Sequence, residues 1–552
     1  MNTLYLGNLK AMLPQRAAAR SGSPIASAEA MRAWLEAMPL ADRSFVMLRL
    51  HEVLRSFNAA LVAPPERLAM LDMLEHACVP LVDDARNEVR EFYPLSPERH
   101  EEMRLADTIE HEMMLGHVEV VCDLCLPSGR VPFMRRGTIA KSLVRAATHQ
   151  ATRLWLALKM HRDPPAGAWQ GLHDLFRFAV TAGCADRVGA SSTQGVKISV
   201  RSVYTQALLL AFAKPRQLTQ AQNRQMYTAL PVLASWCATN QGHAPAGAIM
   251  VFADGDRSPP VMPRGGQIGT DDCWMLDIAD LLARFDALLS TSEGEGRIVL
   301  PARHGEGRAT LDVALTQTLR RVWSERVERG VERKADRSRF ETEVGLTSLH
   351  FILSGDRDFD SVLPLGAETS VATASWAQST STRGATRRAH AEAVDRSAHG
   401  FRLRWSADED ARARVGELIA LAPVAARDAQ WRFGILRWLR TDGSAGVEAG
   451  VELLSSPVPM AVYVLDANGA SRPPMRGILV AGNEDRGDDR SGILVPRPFA
   501  RDAAALEVMR IESDPDGPVS RPVRIARFDV RESGLYQKIL ISDEEMERIE
   551  CA

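Results

Sequence analysis

Between about residues 27 and 247 the apolar positions recur at helical spacing. Residues 30–37, 44–61, 65–82, 106–121, 139–159, 169–182, 200–213 and 219–236 each carry apolar side chains three and four apart. Breaks such as Asp163-Pro164-Pro165 separate the segments. So many amphipathic stretches in succession predict a helical array or bundle. No fixed-period repeat of the tetratricopeptide or leucine-rich kind is present. The pattern changes near Ala248. Residues 249–252 read as a short apolar strand and 273–289 as a helix. Residues 311–334 predict a charged connecting helix with Leu311, Leu315, Leu319, Val322 and Trp323 on one face.

Strand patterns then take over. Residues 339–353 read as a strand followed by a short helix, and 365–386 as a Ser/Thr/Ala/Gly-rich insertion. In residues 392–405, Ala393 and Val394 lead into a polar turn holding Asp395, Ser397 and Gly400. Phe401, Leu403 and Trp405 then alternate with Arg402 and Arg404, which is the signal of a hairpin. Further strands are predicted over 414–421, 431–439 and 446–454, making a small β-barrel. Pro457 and Pro459 mark a joint. Residues 460–465, 477–480, 492–495, 505–511, 523–530 and 536–541 predict a further β-rich domain that ends in an acidic stretch. The expectation is a multi-domain α+β chain. It has a helical domain (25–310), the connecting helix (311–334), a barrel (335–456, with an insertion at about 345–386) and a C-terminal β-domain (457–552).

Composition narrows the classes. At 552 residues the length prior is roughly three or four domains. Hydrophobic content of 45% with 25% charged residues is that of a globular chain. The formal charge of -3 excludes a general polyanion binder, so a basic site has to be local. Residues 1–24, rich in Ala, Arg, Pro and Ser, are expected to be poorly ordered and do not read as a secretory signal. No apolar run approaches the roughly 20 residues of a membrane span. Seven scattered cysteines, an odd number, imply reduced thiols and a cytoplasmic setting.

Several motifs resemble chemistry without completing it. Cys122-Asp123-Leu124-Cys125, with His111 and His117 upstream, has zinc-ligand types but no second pair, so no metal is assigned. His111-Glu112-Met113-Met114-Leu115 lacks the second histidine of a zinc protease. Asp271-Asp272 and Asp356/Asp358/Asp360 read as solvated loop carboxylates, without calcium-loop spacing. Phosphate-binding, dinucleotide and nucleophile-turn motifs are missing, so no enzyme is supported.

The turn Asp395-x-Ser397-x-x-Gly400, its flanking strands, the Val415-Gly416-Glu417-Leu418 segment and the Gly434-Ile435-Leu436-Arg437-Trp438 strand come in one block. This block resembles the PilZ domain, the bacterial receptor module for cyclic di-GMP, whose D/N-x-S-x-x-G motif it matches. The family carries an R-x-x-x-R pair ahead of its first strand. Arg333 and Arg337, just before residues 340–344, fit that place. Arg329/Arg333 is a register variant, and Arg383/Arg387 with Arg388 is an alternative lying 395 − 387 = 8 positions before Asp395. From Arg337 to Asp395 there are 395 − 337 = 58 positions, longer than the usual family spacing, which requires the insertion.

The resemblance implies a cyclic di-GMP receptor that uses no cofactor. Arg333 and Arg337 would clamp phosphate and guanine, and Asp395 would bind a guanine edge. Ser397 would touch the ligand or fix the turn, and Gly400 would permit the backbone path. Guanidinium groups suit such a ligand because they bond phosphate or guanine in pairs and stack on flat rings. Partner proteins would dock through the helical region, with no nucleic-acid or membrane partner. The alternative is a degenerate barrel that has lost its ligand and serves as an interaction module. The Gly-Gly-Asp/Glu-Glu-Phe and Glu-Ala-Leu motifs for making or hydrolysing cyclic di-GMP are absent. Trp405, Trp431 and Trp438 are expected in the barrel core or rim, His399 as an exposed turn residue, and Trp323 packing helix on barrel.

Overall fold

The chain divides into two units, the first comprising Met1–Arg90, Leu95–Pro215 and Gln220–Val327, the second Glu91–Pro94, Arg216–Thr219 and Glu328–Ala552. The computed structural model describes residues 2–552 except 19–22, 40, 88–91, 126–129, 191–196, 242–248, 253–254, 257–272, 293–295, 302–308, 325–331, 364–387, 425–429, 442–445, 483–489, 498, 500–502, 513–519 and 534. Arg329, Arg383, Arg387, Asp271, Asp272 and the proposed insertion over 365–386 lie outside the described residues.

The first unit is helical through α1 (Asn2–Ala11), α2 (Ala28–Glu36), α3 (Arg43–Asn58), α4 (Pro64–Asn87), α5 (Pro97–Cys125), α6 (Arg136–Lys159) and α7 (Ala168–Thr181). After a two-stranded ribbon, β1 (Gly189–Ala190) and β2 (Lys197–Ile198), come α8 (Val200–Phe212) and α9 (Gln220–Ala234). Side-chain caps mark several starts: Ser27, Asp42 and Ser199 each accept from the backbone N–H three residues on. Helix α5 is buried along most positions from Met103 to Cys125, including the polar Glu110, His117 and Glu119. It therefore behaves as a core helix rather than an amphipathic surface one.

Three expectations for this unit are corrected. Residues 1–24 are not uniformly irregular, because α1 buries Leu6 and Leu9. Asn8 Nδ2 donates to Asp174 at 3.0 Å, and Arg16 makes a two-pronged bond to Asp123 at 2.7 and 2.8 Å. Two leucines and one bidentate arginine outweigh a composition that reads as disordered. Residues 273–289 begin as a strand. β3 (Ala238–Gln241), β4 (Ile249–Phe252) and β5 (Cys273–Asp277) form a sheet in the order β3-β5-β4, and only then does α10 (Ala279–Thr291) start. The connecting helix is also shorter than 311–334. After β6 (Arg297–Val299) comes β7 (Thr310–Asp312), which takes 311–312 out of the helix; α11 is described over Val313–Ser324, 325–331 lie outside the described residues, and 332–334 are not helical. Its Trp323 stacks on Phe285 of α10, with ring centroids 5.8 Å apart, and so serves the core of this unit.

The second unit opens with β8 (Lys334–Ala335), β9 (Arg339–Val344) and α12 (Leu346–Leu353). It continues with β10 (Ala389–Ser397), β11 (Gly400–Trp405), β12 (Leu418–Pro423), β13 (Arg432–Thr441) and β14 (Val447–Leu453). Pairings β9–β10, β10–β11, β11–β14, β14–β13, β13–β12 and β12–β9 are all antiparallel and close a six-stranded ring. Alternation does the sorting: Ala389, Ala391 and Ala393 of β10 and Phe401, Leu403 and Trp405 of β11 are buried, while their neighbours face outward. Trp405 is a core residue whose Nε1–H donates to Thr342 Oγ1 at 3.1 Å.

The remaining strands β15 (Val458–Leu465), β16 (Met475–Val480), β17 (Gly492–Val495), β18 (Ala505–Arg510), β19 (Val523–Ile525), β20 (Asp529–Ser533) and β21 (Tyr536–Leu540) form one curled sheet. Its order is β19-β18-β15-β16-β17-β21-β20. Leu346 and Leu349 of α12 share a core with Leu418, Phe433 and Ile435 of the barrel and Ile478, Val480 and Leu494 of the curled sheet. Tyr536 adds a polar tie, its hydroxyl donating to Glu417 and accepting from the Leu346 N–H. No helix among the described residues is long and apolar enough to cross a membrane.

Candidate ligand-binding face of the barrel

The site is built around an irregularity in β10. Ala393 pairs with Leu403 and Asp395 with Arg402, so Val394 is an extra residue, a β-bulge. Without it the two-residue period would turn Asp395 toward the barrel interior, like Ala389, Ala391 and Ala393. The bulge turns the carboxylate outward to the face of Arg402, whose Nε lies 2.9 Å from Asp395 Oδ2.

Strand β8 completes the arrangement. It pairs antiparallel with the end of β10, Ala335 opposite Asp395 and Lys334 opposite Arg396, folding the chain ahead of β9 back beside the hairpin. Arg333, the residue before β8, places Nη1 2.6 Å from Asp395 Oδ1. The carboxylate of Asp395 is thus gripped on one oxygen by Arg333 and on the other by Arg402. Arg337 follows β8 in the loop to β9; it is exposed and makes no ion pair among the described residues. Asp336 between them bonds the Ser338 side chain and backbone, which holds its carboxyl below the usual range, and stands 3.6 Å from Arg396 Nε.

The rest of the turn is structural. Ser397 pairs with Gly400 across the two-residue turn of Ala398 and exposed His399, and its hydroxyl donates to the Gly400 carbonyl at 3.4 Å. A Cβ at Gly400 would lie 2.0 Å from the Val451 carbonyl oxygen of β14, so ring closure itself demands glycine here.

Trp438, expected in the barrel core or rim, and Arg402, given no role in the sequence reading, join the same face. Gly450 of β14 pairs with Arg402 of β11 on one side and Trp438 of β13 on the other. A Cβ on Gly450 would come within 1.9 Å of Trp438 Nε1, so the indole lies across the bare glycine. Asp395, Arg402, Gly450 and Trp438 therefore run in a row over four neighbouring strands, with Trp438 roughly 10 Å from Arg402 at two strand spacings. The signals were present: the Phe-Arg-Leu-Arg-Trp alternation puts Arg402 outward, and Trp438 ends the Gly-Ile-Leu-Arg-Trp strand. Only the register makes them neighbours.

Of the alternative arginine cluster, only Arg388 lies among the described residues, and it is engaged elsewhere. Arg388 reaches Glu341 at 2.9 Å and Glu343 at 3.0 Å and lies over the Trp431 ring. The Cys122/Cys125 pair is buried, which pushes the thiols up to about 12 and about 11. Neither cysteine joins His111 or His117 in a ligand cluster among the described residues.

Comparison with known proteins adds two findings. A family model described as the N-terminal domain of the cyclic-di-GMP receptor FimW matches residues 29–242, and one described as its middle PilZ domain matches residues 249–391 and 367–458. A protein of Pseudomonas aeruginosa named cyclic-di-GMP receptor FimW is 21% identical over 508 residues, covering 81% of this chain and 80% of that one.

Proposed function

The chain belongs to the cyclic-di-GMP receptor FimW family, and on that premise we propose that the outer face of its PilZ barrel binds cyclic di-GMP through Arg333, Arg337, Asp395, Ser397 and Gly400. The observation that carries the reading is the return of Arg333 onto Asp395, bridging 62 positions of sequence at 2.6 Å. It gathers two guanidinium groups, Arg333 and Arg402, around one carboxylate, with Arg337 exposed just beyond β8.

The chemistry fits a cyclic dinucleotide. Arg337 and Arg333 bond the phosphates in pairs. As phosphate takes Arg333, the Asp395 carboxylate becomes free to accept from the N–H edge of a guanine. Trp438 offers a flat surface on which a base stacks, a contact worth about 1–3 kcal/mol where measured for single bases. Ser397 and Gly400 act by fixing the turn and the strand approach that hold Asp395 in place.

Signalling follows as a population shift. Arg333 stands six positions beyond Val327, the last residue of the first unit. Capturing that arginine on a ligand constrains the chain as it enters the second unit. The helical unit is then the surface through which partner proteins read the bound state. The protein acts in the cytoplasm as a receptor rather than an enzyme.

Calorimetric titration of the full chain with cyclic di-GMP, against cyclic GMP and GMP as controls, tests the reading. Saturable micromolar binding that the mononucleotides do not reproduce is expected. Silence at millimolar ligand overturns it and favours an interaction module whose arginines serve only the ion pairs with Asp395.

A further inference from the structure

Away from the barrel, three buried side chains of the helical unit turn their polar atoms toward one another. Glu75 comes from α4, His117 from α5 and His149 from α6, and one ligand atom from each lies within 4.8 Å of the other two. Glu75 and His117 are 0% exposed and His149 6%. Among the described residues, neither ring nitrogen of His117, nor Nε2 of His149, nor either Glu75 oxygen has a hydrogen-bond partner. Buried polar groups are nearly always satisfied, so three such side chains converging on one point require an explanation.

The surroundings point to what is missing. Glu110 Oε2 sits 2.7 Å from His149 Nδ1, which fixes that ring and leaves Nε2 facing the cluster. A carboxylate bonded to the far nitrogen of a histidine is the usual support of a metal-bound imidazole. The His117 and His149 rings lie nearly parallel, 13° apart with centroids at 5.8 Å. Two cations stand beside the cluster: Arg145, with Nη1 3.2 Å from Glu75 Oε2 and bonded also to Asp72, and Lys141, whose Nζ lies 3.7 Å from Asp72.

We propose that Glu75, His117 and His149 form a buried zinc site in the helical unit. Two imidazoles and one carboxylate are ligand types for zinc, whereas calcium and magnesium require oxygen-rich shells. Zinc bonds of about 2.0–2.1 Å set tetrahedral ligands ~3.3 Å apart. Small side-chain rotations therefore close the cluster, and a water fills the fourth position. The ion would pin α4, α5 and α6 to one another, beside the ion pairs Arg67–Glu119, Arg145–Asp72 and Arg153–Asp107 that already join them.

The test uses the full chain purified without a polyhistidine tag. Elemental analysis is expected to find about one zinc per chain. Dipicolinate-treated protein is expected to regain it on addition of zinc chloride, with a higher melting temperature. Glu75→Gln and His117→Asn are expected to lose at least nine-tenths of the metal. His111→Asn keeps it, because His111 Nδ1 is bonded to Arg153 at 2.9 Å outside the cluster. Should the substituted chains fail to fold, X-ray absorption on the wild-type chain decides, with a nitrogen and oxygen shell including two imidazoles expected. The proposal is overturned if the treated chain takes up no stoichiometric zinc, if His117→Asn retains it, or if sulfur appears in the shell.

Discussion

Replacing Arg333 and Arg337 with alanine separates ligand capture from folding. The side chain of Arg333 is 43% exposed and Arg337 is exposed. Removing Arg333 does not strand a buried charge, because Asp395 keeps Arg402 at 2.9 Å. Exposed ion pairs contribute about 0.2–1 kcal/mol, so the double variant should unfold within ~1 kcal/mol of the wild type. Binding behaves differently. A hydrogen bond to a charged group contributes about 1.5–3 kcal/mol, and every 1.4 kcal/mol is about tenfold in affinity. Each arginine then accounts for roughly 10- to 150-fold and the pair for at least 100-fold. The two are not equal. Arg333 must give up Asp395 before it can hold phosphate, whereas Arg337 has no ion pair to lose among the described residues. Arg337→Ala should therefore weaken binding more than Arg333→Ala. Calorimetric titration with cyclic di-GMP at one fixed ionic strength measures the first effect, and urea denaturation the second. If the double variant binds within twofold of the wild type, the site lies elsewhere and the reasoning fails.

Gly400→Ala should destabilise the second unit by about 3 kcal/mol or more, as for other forced overpacking. The new Cβ would meet the Val451 carbonyl at 2.0 Å, and a urea midpoint unchanged from wild type would count against the strand closure described. Trp438→Ala should lower cyclic di-GMP affinity by about 5- to 100-fold with little loss of stability; unaltered binding would remove the indole from the ligand face. His350 predicts a pH effect. Burial above all drops its pKa to about 4, with its ring between the Met460 carbonyl and the Ser354 hydroxyl. The unfolded chain, at about 6.5, binds this proton first. Stability is full above pH 6.5 and declines as pH falls toward 4, by up to about 3 kcal/mol. His350→Asn should flatten that acid slope in denaturant titrations at several pH values, and an unchanged slope would refute the assignment.

Much of this protein follows from local pattern. Helical periodicity marks α2 to α9, and the two-residue alternation of Phe401, Leu403 and Trp405 against Arg402 and Arg404 marks a half-buried strand. Both are consequences of which side chains must leave water, a property of a few neighbouring residues. The Asp395-x-Ser397-x-x-Gly400 turn is legible for the same reason, since Ser397 and Gly400 are adjacent in space through the turn itself. Composition misleads at the N-terminus, where α1 buries Leu6 and Leu9 and where Asn8 and Arg16 bond to partners more than a hundred positions away. Strand β5 reads from sequence as the start of a helix, because a short apolar run carries no period of its own.

Everything that depends on register or on packing of distant segments was decided by tertiary structure. The bulge at Val394, one extra residue, determines whether Asp395 faces the core or Arg402 and Arg333. The closeness of Trp438 to Arg402 exists only because both pair with Gly450. His117 could be associated in sequence only with the nearby His111 and Cys122. Its actual neighbours, Glu75 and His149, are 42 and 32 positions away on other helices. A local pattern specifies which face of an element is buried; it does not specify which other face it is buried against, and convergent side-chain chemistry is set by that second choice.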